Sequence, residues 1–125
     1  MAKDLFSIAG KTALVTGGSR GIGLMIARGY VEAGARVYIS SRKKDTCDAA
    51  AAELSRSGHC VSLPGDCGTE AGCRALADAY GAREDRLHIL VNNAGANWGA
   101  PLAEYPDGAW DKVLALNVKG IFHLT

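Results

Sequence analysis

Eight consecutive residues, Thr16-Gly17-Gly18-Ser19-Arg20-Gly21-Ile22-Gly23, have the types and spacing to bind an anion. A short apolar run at residues 12–15 precedes them, and Ile22, Met25, Ile26, Tyr30 and Ala33 follow on one face at helical spacing. A strand, a glycine-rich turn and a helix in that order aim backbone N–H groups and the positive end of the helix at one point. Glycine is needed because a side chain there would strain the turn or block the ligand. Gly17, Gly21 and Gly23 fit T-G-x-x-x-G-x-G rather than G-x-G-x-x-G. Leu24-Met25 stand where a phosphate-loop NTPase carries Lys and Ser/Thr, so that reading fails.

Two further positions bear on the ligand. An NAD-binding strand–helix unit carries a carboxylate about twenty residues past the loop, where it accepts the ribose 2′-hydroxyl. Here Ser41-Arg42 occupies the end of the second apolar run, with no acid before Asp45. A guanidinium binds a 2′-phosphate through paired, charge-assisted hydrogen bonds, and Arg20 projects from the same end. The pattern points to NADP(H) and weakens a methyltransferase reading. The second position is Asn117. At 100° per residue, Trp110, Val113, Leu114, Val118, Ile121 and Phe122 form one apolar face with Asn117 near its middle. An unpartnered buried amide costs roughly 1–3 kcal/mol, so this one needs a specific partner. Either it bonds a neighbouring backbone or marks a helix distortion, or it holds a water or backbone carbonyl beside a reaction centre.

The elements that position these residues alternate. After a lead-in at residues 1–10 come a strand, the glycine loop and a helix stopped by Gly34. Residues 36–40 read as a second strand and 45–57 as a second helix ended by Gly58. Residues 60–63 are a third strand, and Thr69 caps a third helix running to about Tyr80. Residues 87–91 form a fourth strand, apolar enough to be buried on both faces. Asn92-Asn93-Ala94-Gly95 closes it, and a final helix starts near Pro106. This βαβαβαβα order predicts an α/β fold, a doubly wound parallel (Rossmann) sheet of order 3-2-1-4 with right-handed crossovers. The order reverses between the first and fourth strands, so both glycine-containing turns face one cleft.

The chain of 125 residues reads as a single domain over 1–125. A net charge of +1, with Arg42-Lys43-Lys44 the only charge run and its plain reading a solvated helix start, gives no reason to expect nucleic acid. No stretch has signal-peptide character or the length to span a bilayer, so the expectation is a cytoplasmic protein with no membrane contact. Cys47, Cys60, Cys67 and Cys73 lack C-x-x-C spacing and the three histidines are scattered. No metal site and no disulfide framework is expected.

These motifs together resemble the short-chain dehydrogenase/reductase family over essentially the whole chain. The resemblance rests on Thr16 through Gly23, Asp66 after the third strand, Asn92-Asn93-Ala94-Gly95, and Asn117 within Leu116-Asn117-Val118-Lys119-Gly120. It implies a cofactor site of Gly17, Ser19, Arg20, Gly21, Ile22 and Gly23 at the pyrophosphate and ribose, with Arg20 and Arg42 at the 2′-phosphate. Asp66 and Cys67 would bracket the adenine, although an aliphatic residue is commoner at the latter position. Asn93, Ala94 and Gly95 would line the ribose side, and Asn92 would secure the strand. Asn117 matches the asparagine of the family's catalytic tetrad, which orders a water in a proton relay.

The family's catalytic serine and Tyr-x-x-x-Lys pair are not in this sequence, for none of Tyr30, Tyr38, Tyr80 and Tyr105 has Lys four residues later. The expectation is the N-terminal half of a longer reductase, inactive and poorly soluble alone, its fourth strand left as an apolar edge. The whole protein is expected as a homodimer or homotetramer acting on a small carbonyl/alcohol substrate. Residues 97–102 and Tyr105-Pro106 are similar to those of 3-oxoacyl-thioester (acyl-carrier-protein) reductases, including ones tied to rhamnolipid precursors. Trp98 serves either as a pocket floor or as core. A polyol or sugar dehydrogenase and a non-catalytic nucleotide-binding module stand as alternatives.

Overall fold

In the computed structural model, which describes residues 2–125, a short helix α1 (Ala2–Leu5) leads into β1 (Thr12–Thr16), buried along its whole length. The chain continues through α2 (Gly21–Glu32), β2 (Arg36–Ser40), α3 (Lys44–Leu54), β3 (His59–Ser62), α4 (Glu70–Gly81) and β4 (Ile89–Val91). All pairings are parallel and the sheet order is β3-β2-β1-β4, as the alternation predicts. Val15 pairs with Ile39 on one side and Val91 on the other, so three strands end level with one another.

Alternation along the strands divides the core. Val15, Val37 and Ile39 point to Ala27 and Val31 of α2 and to Ala50 and Leu54 of α3. Leu14 and Tyr38 point the other way, to Cys73, Leu76 and Tyr80 of α4. Local signals set the end of α2 and the start of α4 where expected, whereas α3 stops at Leu54, short of the expected 57. Gly34 takes φ +88° after α2, and the Ala35 N–H returns to the Tyr30 carbonyl at 3.0 Å. Thr69 caps α4 by accepting the Gly72 N–H at 3.0 Å.

Three expectations need correction. The face of α2 against the sheet is Gly23, Ala27 and Val31; Ile22 and Met25 are 66% and 63% exposed, while Ile26 and Tyr30 pack at the margin. Small residues turn inward because Gly23 lies against the Gly17 carbonyl, leaving no room for a larger stripe. Strand β4 is three residues long and only half-buried. It pairs with β1 alone among the described residues, and Leu87 before it is 38% exposed. The last helix is α5 (Asp107–Leu114), a π turn (Ala115–Lys119) and α6 (Gly120–Leu124). Its buried positions are Ala109 and Gly120, whereas Trp110, Leu114, Val118 and Phe122 of the expected apolar face are exposed. The π turn breaks the 100° progression, and Gly120 packs so closely on the Cys67 carbonyl that an added Cβ would lie 2.3 Å from it.

At the amino end of the sheet, Glu84 accepts from Arg36 Nη2 at 2.7 Å, Arg36 Nε at 2.9 Å and the Tyr38 hydroxyl at 2.5 Å. The Tyr38 ring meets Tyr80 edge-on at 5.0 Å and His59 at 5.5 Å, and the Tyr80 hydroxyl donates to the Arg86 carbonyl at 2.7 Å. The Tyr38 and Arg36 hydrogen bonds hold the Glu84 carboxyl below its ordinary value of 4.5. Burial, with Arg36 nearby, holds His59 below 6.5. A depressed folded-state pKa contributes stability above the unfolded value that is lost as pH falls. Urea midpoints should therefore decline in two stages on acidification, His59 first below about pH 6.5 and Glu84 below about 4.5. Glu84→Gln should flatten the lower stage and deepen the upper one, because the Glu84 charge offsets part of the fall in the His59 pKa.

Candidate functional site

Strands β1, β2 and β4 end together, and their carboxyl ends carry the site. The Thr16 hydroxyl, at the last position of β1, donates to the Val91 carbonyl at 3.2 Å and accepts the N–H groups of Asn93 at 3.1 Å and Ala94 at 3.0 Å. Asn93 Nδ2 reaches back to the Gly17 carbonyl at 3.2 Å. One buried hydroxyl and one amide thus stitch the glycine turn to the 92–95 turn. Asn92, expected to secure the strand, is exposed and donates to the Thr125 hydroxyl at 3.2 Å. Successive side chains at a strand end point to opposite faces, so its neighbour performs that role.

Glycines in the turn do different work. Gly17 takes φ +65° and Gly21 φ +59°, values that disfavour a side chain. An added Cβ on Gly23 would lie 2.0 Å from the Gly17 carbonyl oxygen and 2.5 Å from Asn93 Nδ2. Gly23 is thus a position where close packing of the backbone excludes a side chain.

Above the strand ends lies a cavity of about 360 Å³. Gly17, Ser19, Arg20, Gly21, Arg42, Cys67, Asn93, Ala94 and Gly95 line it, all anticipated from sequence. Ile22, Gly23 and Asp66 do not. Ile22 points outward from the first turn of α2, Gly23 is packed beneath, and the exposed Asp66 carboxylate accepts the Gly68 N–H at 2.8 Å. Thr16, Ser40, Lys43, Thr46, Gly65 and Leu116 also line the cavity. Lys43 and Thr46 had a usable signal, since they follow Arg42 at the spacing of a first helical turn. Leu116 had none, being set there by the π turn.

The lining contains three cations, Arg20, Arg42 and Lys43, and no carboxylate. None of the three belongs to an ion pair among the described residues. Helices α2 and α3 start at this cavity with Arg20 and Lys43 in the capping position and no side-chain cap, whereas α4, starting elsewhere, has Thr69. Uncapped first turns beside unpaired cations leave N–H donors and positive charge for an anion. Burial, with Cys73 adding to it, pushes the Cys67 thiol up to about 12. It is therefore a neutral part of the lining, as is Leu116.

Asn117 sits in the π turn. Its Oδ1 accepts the Ala96 N–H at 2.8 Å and its Nδ2 donates to the Ala96 carbonyl at 2.7 Å. Backbone bonding and helix distortion thus both occur, and the bond to the Ala96 carbonyl also meets the backbone-carbonyl part of the other reading. The amide still has one N–H and one lone pair, and Asn117 lines a second, open cavity of about 640 Å³ with residues 94–97, Arg20, Arg42, Lys112 and Ile121. Tyr30, Tyr38, Tyr80 and Tyr105 line neither cavity.

A family model described as short chain dehydrogenase matches residues 11–125. The Pseudomonas aeruginosa rhamnolipids biosynthesis 3-oxoacyl-[acyl-carrier-protein] reductase is 56% identical over 117 residues, covering 94% of this chain and 46% of its own. The solved Pseudomonas aeruginosa RhlG/NADP active-site complex superposes with a TM-score of 0.92 at 55% identity, over 95% of this chain and 46% of that one. L-sorbose reductase from Gluconobacter frateurii, complexed with NADPH and L-sorbose, has a TM-score of 0.90 at 32% identity, over 94% and 46% of the two chains. The chain therefore spans about half the length of these relatives.

Removing the Thr16 hydroxyl leaves two turn N–H groups without their acceptor. Thr16→Val should lower unfolding stability by about 2–3 kcal/mol in urea denaturation. Gly29, with open space around it inside α2, should behave oppositely to Gly23. Gly29→Ala is expected to raise stability by about 0.5–1 kcal/mol, and Gly23→Ala to lower it by more than Thr16→Val does.

Proposed function

The chain belongs to the short chain dehydrogenase family, and from that premise we propose that it forms the NADP(H)-binding half of a reductase that interconverts a carbonyl and an alcohol. The observation that carries this is the cavity at the strand ends, with three unpaired cations, two uncapped helix starts and no carboxylate. When bound, the nicotinamide cofactor supplies or takes up the hydride.

The residues present fit such a cofactor. The turn at Gly17, Ser19 and Gly21 and the first N–H groups of α2 would hold the diphosphate, and Arg20 and Arg42 the 2′-phosphate. Cys67 and Leu116 would enclose the adenine, and Asn93 through Gly95 the ribose side. Asn117 locks the Ala96 backbone and keeps one donor and one acceptor for a proton relay at the edge of the open cavity. A proton donor for the carbonyl oxygen is proposed to come from outside these 125 residues, since no tyrosine of this chain lines either cavity. The chain alone is therefore proposed to bind cofactor without turnover.

The substrate proposed is a 3-oxoacyl thioester, supported by the 56% identity to the Pseudomonas reductase. A sugar or polyol is the second reading, supported by the likeness to L-sorbose reductase. For the whole protein the proposal extends to a cytoplasmic setting and a dimer or tetramer.

Two experiments test this. NADPH should bind more tightly than NADH in fluorescence titrations, and Arg42→Asp should reduce that preference at least tenfold; an unchanged ratio removes Arg42 from the 2′-phosphate site. Grafting this chain in place of the matching half of the Pseudomonas reductase should preserve NADPH-dependent reduction of a 3-oxoacyl thioester. Asn117→Ala in the graft should lower kcat by about a hundredfold. Turnover by the isolated 125 residues would overturn the external proton donor.

A further inference from the structure

The cofactor reading accounts for Arg20 and Arg42 but leaves a third cation of the open cavity unused. Lys112 lies in the last turn of α5 and lines that cavity together with Asn97 and Asn117. No carboxylate lines it, and Lys112 belongs to no ion pair among the described residues. Its ammonium is placed over the Trp98 ring, 5.5 Å from the centroid, within range of a cation–π contact. That contact joins α5 to the 94–99 loop, which Asn117 fixes independently through Ala96. The ammonium is thus held in the cavity lining against an indole that is 43% exposed.

We propose that the open cavity takes the anionic end of the carbonyl substrate, with Lys112 as its charge partner and Trp98, which lies beside Lys112 outside the cavity lining, as the apolar surface along which the rest of the substrate runs. This rests on the cofactor reading, because a 2′-phosphate must occupy Arg20 and Arg42 for Lys112 to be the cation left to the substrate. A cavity with cations, amides and no acid favours a negatively charged carbonyl compound over a neutral sugar. The anionic group is a phosphate or a carboxylate. The exposed indole favours the phosphate of a pantetheine arm, whose linear apolar stretches suit a flat ring.

The test uses this chain with Trp110→Phe, so that Trp98 is the sole indole, saturated with NADP⁺ to cover Arg20 and Arg42. Quenching of Trp98 emission is titrated with acetoacetyl-4′-phosphopantetheine, neutral acetoacetyl-N-acetylcysteamine, 5-keto-D-gluconate and L-sorbose. The phosphorylated thioester should bind at least tenfold more tightly than the neutral one, and the advantage should shrink with added salt. Lys112→Glu should abolish it and Lys112→Arg retain it, with NADPH affinity unchanged in both variants. Lys112-dependent binding of ketogluconate but not of the phosphothioester would support the anionic end and assign it to a carboxylate. Equal affinities for charged and neutral thioesters, an advantage that survives Lys112→Glu, or quenching by none of the four would overturn the proposal. Failure of NADPH to bind the unsubstituted chain would overturn the cofactor reading beneath it.

Discussion

The carboxyl end of the sheet depends on how closely three backbone segments meet. The Gly17 carbonyl is pressed between the Cα of Gly23 and the Asn93 amide, and the Thr16 hydroxyl beside it gathers two N–H groups and one carbonyl from the end of β4. No side chain fits at Gly23, so α2 starts directly beneath the turn, and its first N–H groups face outward over β1. The same contact aligns the 92–95 turn. Through Ala96 that turn is bonded to Asn117 and hence to the last helix. One packed junction thus sets both walls of the cleft.

Charge is separated along the strands to match. At the amino end Glu84 accepts from Arg36 and Tyr38, and the Tyr38 ring packs on those of Tyr80 and His59. At the carboxyl end Arg20, Arg42, Lys43 and Lys112 line the cavities without a carboxylate among them. The first arrangement is satisfied within the chain and serves stability. The second has no ion-pair partner among the described residues and leaves positive charge facing the cavities.

Much of this was legible. Parallel order, the capping by Thr69 and Gly34, and most cavity residues follow from local rules that involve few neighbours. Where the expectations failed, distant contacts decided. A helical projection of α2 places Ile22 and Met25 inward, but the buried stripe is Gly23, Ala27 and Val31, because the sheet comes closest where the side chain is smallest. In the last helix the apolar residues suggested a buried face, and the π turn and the Gly120–Cys67 approach turned a different face inward.

The sequence by itself determined the glycine-rich turn between β1 and α2, the absence of an acid directly after β2 and the anomaly of Asn117, because each is a matter of residue type at a fixed local spacing. Only the tertiary structure decided which of the two asparagines after β4 is the stitch. The same holds for Asp66 turning to Gly68 and for Lys112 standing over Trp98. Those outcomes depend on side-chain direction and on partners from 2 to 76 positions away, which spacing along the chain does not encode.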